Sequence, residues 1–238
     1  MERKKGTIIK VVPIVLILLG AVIFFLWNSN YDYCHNQEIL SLLKNDGCTP
    51  ECVIGGDYYA LPCKLEDFIK NGWFLQTNTE NNQITLPGKS QATVYMPHGC
   101  FMFVINNFEK EIAIEDAVVV ELISEVQKQA DPDYNQEYFV TEKGITAITR
   151  RGTILRLCKK IDYFYPGANA WGAQSDDHFC SKETQEALIT ISYYTDKDRC
   201  HRISIIADKK AAEIAGIDLY FSQYNIVKDR FYLEREAQ

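Results

Sequence analysis

The sequence predicts an α+β protein held at a membrane: an N-terminal transmembrane helix, then an ectodomain of two small helix-on-antiparallel-sheet units. Three observations predict it. Val11 to Trp27 are seventeen uncharged, almost wholly apolar residues behind the basic start MERKKGTIIK. Segments with apolar residues at i, i+3 and i+4 alternate with Val- and Ile-rich runs bounded by Gly, Pro, Asn and Asp. That order, a helix and then antiparallel strands, occurs twice, on either side of a polar stretch containing Asp131-Pro132-Asp133. The division that follows is 1–10 cytoplasmic, 11–30 anchor, 31–51 juxtamembrane helix, 52–130 first unit, and 131–238 second unit with a C-terminal tail.

As a helix the apolar run spans about 26 Å, and Thr7 to Lys10, whose lysine snorkels outward, extend it to the roughly 30 Å of a bilayer core. Pro13 falls near the first turn, where a missing N–H costs little. Arg3, Lys4, Lys5 and Lys10 against Glu2 keep the N-terminus cytoplasmic and place the rest outside. The run is longer than a signal-peptide core, and Trp27 to Tyr31 offers no small-x-small cleavage site, so the anchor is expected to be retained. Beyond the first thirty residues, 21 basic side chains face 31 acidic ones, with basic residues only in scattered pairs such as Arg150-Arg151. That balance argues against a nucleic-acid partner.

Asn36 caps a short helix whose Ile39, Leu40, Leu42 and Leu43 face inward, stopped by Asp46-Gly47. Val53 to Pro62 reads as strand, turn, strand. Leu65, Phe68 and Ile69 mark a helix with acids in its first turn, Lys70 in its last, and Gly72 as the left-handed residue that ends it. Ala92 to Met96 and Cys100 to Ile105 pair as a hairpin about Pro97-His98-Gly99, and Ile112 to Ile123 reads as one longer strand. In the second half Ile154, Leu157, Cys158 and Ile161 mark a helix ended by Pro166-Gly167. Ala187 to Tyr194 and Arg199 to Ala207 are strands, Asp208 caps a short helix ending at Gly216, and the tail from Ile217 reads ambiguously.

The segment Gly56-x-x-Tyr59-x-Leu61-Pro62-Cys63-x-Leu65-x-x-Phe68-x-x-Asn71-Gly72-Trp73 resembles the opening of a group of Gram-positive bacterial cell-surface lipoproteins and membrane-anchored proteins. In these a displayed domain begins with a strand, "LP", a short helix and "GW". Gly152-Thr153 is similar to the "G-x-T/S" that precedes a helix and hairpin in their second part, in the manner of the beta-lactamase-inhibitor-protein-like fold. The chain departs from the lipoprotein members because Tyr31-Asp32-Tyr33 does not make Cys34 a lipid-attachment site. The resemblance implies display at a cell surface and carries over no catalytic residue.

Eight cysteines lie beyond the anchor, and an even count outside the cytoplasm allows disulfides. One or two are expected, within Cys34, Cys48, Cys52 and Cys63, where the elements are shortest. Cys48-x-x-x-Cys52 is one residue longer than a thioredoxin-like dithiol. Cys34-His35, His98-x-Cys100 and Cys200-His201 lie too far apart in sequence to read as a zinc pattern, so no metal and no cofactor are expected. His201, in phase with Ile203 and Ile205, reads as a core-edge histidine. Tyr163 to Phe179 reads as a loop of aromatics and acids that stacks a sugar or grips a peptide. Its candidate ligand-binding residues are Tyr165, Trp171, Asp176, Asp177 and His178; the competing role for its rings is to close the core over the helix. Taken together, the residues favour a non-enzymatic module, displayed outside the cell membrane, that binds a protein or cell-envelope ligand. The alternative is an envelope thiol-active or hydrolytic enzyme using Cys and His residues separated in sequence.

Overall fold

In a computed structural model the structure describes Pro13 and residues 15–21, 33–46, 49–77, 84–126, 135–157, 164–166, 174–180, 187–194, 200–219 and 223–235. The chain is α+β, mostly sheet with few helices. It opens with α1 (Gln37–Leu42), β1 (Glu51–Ile54), β2 (Asp57–Ala60), β3 (Cys63–Lys64), α2 (Leu65–Lys70) and β4 (Phe74–Thr77). There follow β5 (Thr85–Leu86), β6 (Ser90–Tyr95), β7 (Cys100–Asn106), β8 (Ile112–Ala113), β9 (Val118–Glu125) and β10 (Phe139–Thr141). After α3 (Arg151–Leu157) come β11 (Phe164–Pro166), β12 (Gln174–Cys180), β13 (Ala187–Tyr194), β14 (Cys200–Ile206), α4 (Lys209–Ile214), β15 (Asn225–Ile226) and β16 (Phe231–Glu234).

The main sheet runs β11-β12-β13-β14-β9-β7-β6-β16-β4, so strands from both sides of residue 131 lie next to each other in it. A smaller sheet, β10-β1-β2, covers one face. Alternation along β1 decides what each of its faces meets. Cys52 and Ile54 join Tyr59 and Phe139 in one core with Val94, Met102, Leu122, Ile203, Ile205 and Phe231 of the main sheet. Val53, pointing the other way, packs with Cys34, Ile39, Leu43 and Val140 beneath α1.

This layering corrects the disulfide expectation. Cys34, Cys52 and Cys63 carry free thiols, as does Cys100, and no disulfide is seen among the described residues; Cys48 lies outside them. The small sheet is the reason, because Cys34 lies under α1 while Cys52 lies in the main core on the opposite face.

Local chemistry explains the ends of the elements. The Asn36 side chain accepts from the Glu38 N–H, as an N-cap should, but Leu42 is exposed rather than inward. In α2 the Asp67 carboxylate accepts from Lys64 N–H at 3.1 Å. Gly72 sits at φ +86 and donates to Ile69 O, while Trp73 N–H reaches Phe68 O. Those two bonds form a Schellman ending, and they turn Trp73 back onto the core. Asp208 caps α4 through Ala211 N–H at 2.9 Å, and Gly216 ends it at φ +71.

The expected hairpin is β6–β7, and its turn has His98 at φ 56 and Gly99 at φ 70, the pair of positive angles a type I′ turn requires. A Cβ on Gly99 would clash with Glu125 O, so the turn lies against the end of β9. The single strand expected over Ile112 to Ile123 is instead two. A 3-10 turn at Ile114–Asp116 separates β8 from β9 and carries Ile114 into the core. Its backbone has other partners: Ile114 N–H bonds Ile84 O, and Ala117 O accepts from Leu65 N–H.

Of the expected anchor, the described residues are Pro13 and 15–21, all helical, with Leu16, Ile17, Leu18 and Leu19 each more than half exposed. Among the described residues no helix is long and apolar enough to cross a membrane. The remainder of 1–30 lies outside the described residues.

Candidate functional site

Main-sheet residues out of phase with the core form a second face, and across its central strands this face is aromatic. Phe101 and Phe103 lie two apart on β7, Tyr95 ends β6, and Tyr232 lies on β16. Tyr95 pairs in register with both Phe101 and Tyr232. Ring centroids are 5.6 Å apart for Tyr95–Tyr232, 6.3 Å for Tyr95–Phe101 and 5.9 Å for Phe101–Phe103. The Arg202 guanidinium lies 5.9 Å above the Phe101 ring. Beside them, Phe74 on β4 is exposed, and Gln76 donates to Glu234 at 2.9 Å.

Of these rings only Tyr95 is exposed; Phe101, Phe103 and Tyr232 are half-buried, and Phe103 also packs against the core. Tyr95 is 38 % exposed, whereas Phe68 and Phe231 are at most 1 % exposed. Rings held at about 6 Å on pleated backbone form a rigid apolar strip, and Arg202, Gln76 and Glu234 border it with hydrogen-bonding groups. Such a strip stacks against sugar rings or receives the apolar part of a protein surface. Glu121, paired with Phe103, is pushed above the usual carboxylate range by burial, although Arg202 opposes the shift.

The expected loop from Tyr163 to Phe179 is not a loop where it is described: β11 is the edge strand of the main sheet and β12 is its neighbour. Strand pairing supplies the reason, because β12 hydrogen-bonds along its length to β13. Tyr165 is the cross-strand partner of His178, and Trp171 lies outside the described residues. Backbone register links the two regions in one row: Tyr165, His178, Thr190, Ser204, Ile123, Phe101, Tyr95, Tyr232, Gln76. Asp176 pairs with Ser192, and through it with Arg202. Asp177 falls in the alternate row, opposite Ile191, which pairs with Ile203.

The signal for the aromatic strip was present but local. Phe101 and Phe103 alternate within the apolar run Cys100 to Ile105, and Tyr95 faces Phe101 across a recognisable turn. Tyr232 and Arg202 arrive through long-range pairing and carry no local signal.

The cysteine and histidine candidates are placed differently. Burial raises the Cys34 and Cys63 thiols, raises Cys52 well above its ordinary value, and pushes Cys100 up to about 12. Thiolate chemistry needs the opposite shift. His201 is 4 % exposed, in phase with buried Ile203 and Ile205. His98 packs its ring on Tyr138 at 4.5 Å. Among the described residues no three His, Cys, Asp or Glu side chains are grouped to hold a metal ion.

The residues of the Gly56-to-Trp73 motif are scaffold. Tyr59 stacks on Phe68 at 3.8 Å with planes 3° apart, and Asn71 donates to the Tyr59 hydroxyl at 3.1 Å. Leu61, Leu65 and Trp73 are buried. Compared with known proteins, the chain matches no family model, and no curated protein or solved structure gives a significant match.

Proposed function

We propose that this chain is a non-enzymatic binding module, held by its N-terminal helix in the cell membrane with the N-terminus cytoplasmic and the ectodomain outside. Its ligand is a protein or cell-envelope component, received on the aromatic strip of the main sheet. The observation that carries the reading is the connected set Tyr232, Tyr95, Phe101 and Phe103 with Arg202 over Phe101. The set leaves Tyr95 exposed and the open edges of Phe101 and Tyr232 beside it, an apolar surface that a partner can cover. The basic N-terminus and the exposed apolar helix at residues 15–21 support the anchor. The resemblance to Gram-positive surface proteins agrees with display, through residues that build scaffold rather than site. The enzymatic alternative draws no support from the described thiols of Cys52, Cys63 and Cys100, which burial holds in their protonated form.

The test is sedimentation of the full chain, in phosphatidylcholine nanodiscs, with insoluble bacterial cell-wall glycan and separately with protein-bearing envelope fragments. Removing two stacking rings, Tyr95→Ala with Tyr232→Ala, should weaken whichever association is found by at least about tenfold. Association that survives the double substitution unchanged would place the ligand elsewhere.

A further inference from the structure

A second concave site lies apart from the aromatic strip. Pro62, Cys63, Lys64 and Asp67 at the start of α2, Phe108 and Lys110 after β7, Ile112, Asp116 and Val118 around the 3-10 turn, and Ala215 and Ile217 after α4 enclose a cleft of about 680 Å³. That is the volume of a small organic ligand rather than a groove for a folded partner.

The walls are preset. Asn106 is fully buried, and its two amide hydrogens are shared among Leu86 O, Pro87 O and Lys110 O at 2.8–2.9 Å while its oxygen accepts from Phe108 N–H. Asn107 bonds Gly216 O and accepts from the Tyr224 hydroxyl, tying this loop to the end of α4. A loop fixed at so many points nevertheless holds Phe108 outward, 57 % exposed, at the lip. Ile112, Val118 and Ile217 continue the apolar wall.

Two lysines, Lys64 and Lys110, and two aspartates, Asp67 and Asp116, line the cleft, and they are not equally paired. Lys64 pairs with Asp116 at 3.7 Å, and Asp67 pairs with Lys70 at 3.8 Å. The Lys110 ammonium is left without an ion-pair partner among the described residues. An apolar wall with one uncommitted cation at its rim is complementary to a ligand with an apolar body and one anionic group.

We infer that this cleft binds a small organic carboxylate with an apolar body, its ring or chain lying against Phe108, Ile112, Val118 and Ile217 and its carboxylate at Lys110. The site is independent of the aromatic strip.

Binding of 2-naphthoate and of its neutral isostere 2-naphthamide to the full chain in phosphatidylcholine nanodiscs tests this, with empty nanodiscs subtracted. The naphthoate should bind saturably, one per chain, and about tenfold more tightly than the amide. Lys110→Gln should abolish that preference, and Phe108→Ala should weaken both probes several-fold. Both positions are exposed, so the variants should retain the wild-type far-UV spectrum. No saturable binding, equal affinity for acid and amide, or a naphthoate affinity unchanged in both variants would each overturn the assignment.

Discussion

Replacing Trp73 with alanine is expected to remove about 3–5 kcal/mol of stability, the usual cost of deleting a large buried ring. Trp73 is 2 % exposed and joins parts of the chain that are distant in sequence. Its ring lies over the Gly55 turn, where an added Cβ would sit 3.3 Å from the indole, and meets the Tyr138 edge at 6.5 Å. From the C-terminal strand, the Arg235 guanidinium lies 5.8 Å above it while bonding Asp57 at 2.7 Å and Gly55 O at 3.1 Å. Losing the indole therefore unseats the α2 ending, the β1–β2 turn and the end of β16 together. Against a typical total of about 5–15 kcal/mol, the loss should leave the folded state marginal. Urea unfolding followed by far-UV circular dichroism measures it, and a cost below about 1 kcal/mol would mean that the site collapses around the gap.

The second large effect is expected in alkaline solution. Burial raises the thiols of Cys52, Cys63 and Cys100 above the ordinary 9.0, and raises the phenols of Tyr59 and Tyr138 above 10.0. The folded chain thus keeps protons that the unfolded chain releases once the pH passes 9. The unfolded state then binds fewer protons, so stability is fully present below pH 9 and is lost as pH rises toward 12. Each such thiol contributes a slope of about 1.4 kcal/mol per pH unit across its window. Urea midpoints measured from pH 7 to 11 should be level at first and then fall steeply, and Cys100→Ala should flatten the fall. A midpoint that stays level to pH 11 would mean that these thiols titrate as exposed groups.

Local signals were readable in the sequence wherever a few adjacent residues decide the outcome. Asn36 and Asp208 cap their helices through their own side chains, Gly72 and Gly216 end theirs at positive φ, and His98-Gly99 forms the hairpin turn. The phase of His201 with Ile203 and Ile205 likewise fixed its burial. What the sequence left ambiguous or misread depends on distant partners. Within the tail, Phe231 to Glu234 form a strand because Phe231 pairs with Thr77 on one side and Val94 on the other. Tyr163 to Phe179 reads as a loop because its aromatics and acids lack apolar alternation, yet pairing with β13 makes part of it strand. An even count of cysteines allows bridges, but only the position of β1 between two cores shows why Cys34 and Cys52 lie apart. The aromatic strip was half visible, since Phe101 and Phe103 are neighbours in phase while Tyr232 joins them across 129 positions or more of chain.

The most direct test of the proposed role is hydroxyl-radical footprinting of the full chain in nanodiscs, with and without the envelope material it sediments with. Tyr95, Phe101, Phe103 and Tyr232 should lose labelling together when the ligand is present, while Phe108, exposed at the separate cleft, keeps its own. Equal labelling of the four rings in the bound and free chain would contradict the assignment of the aromatic strip as the binding surface.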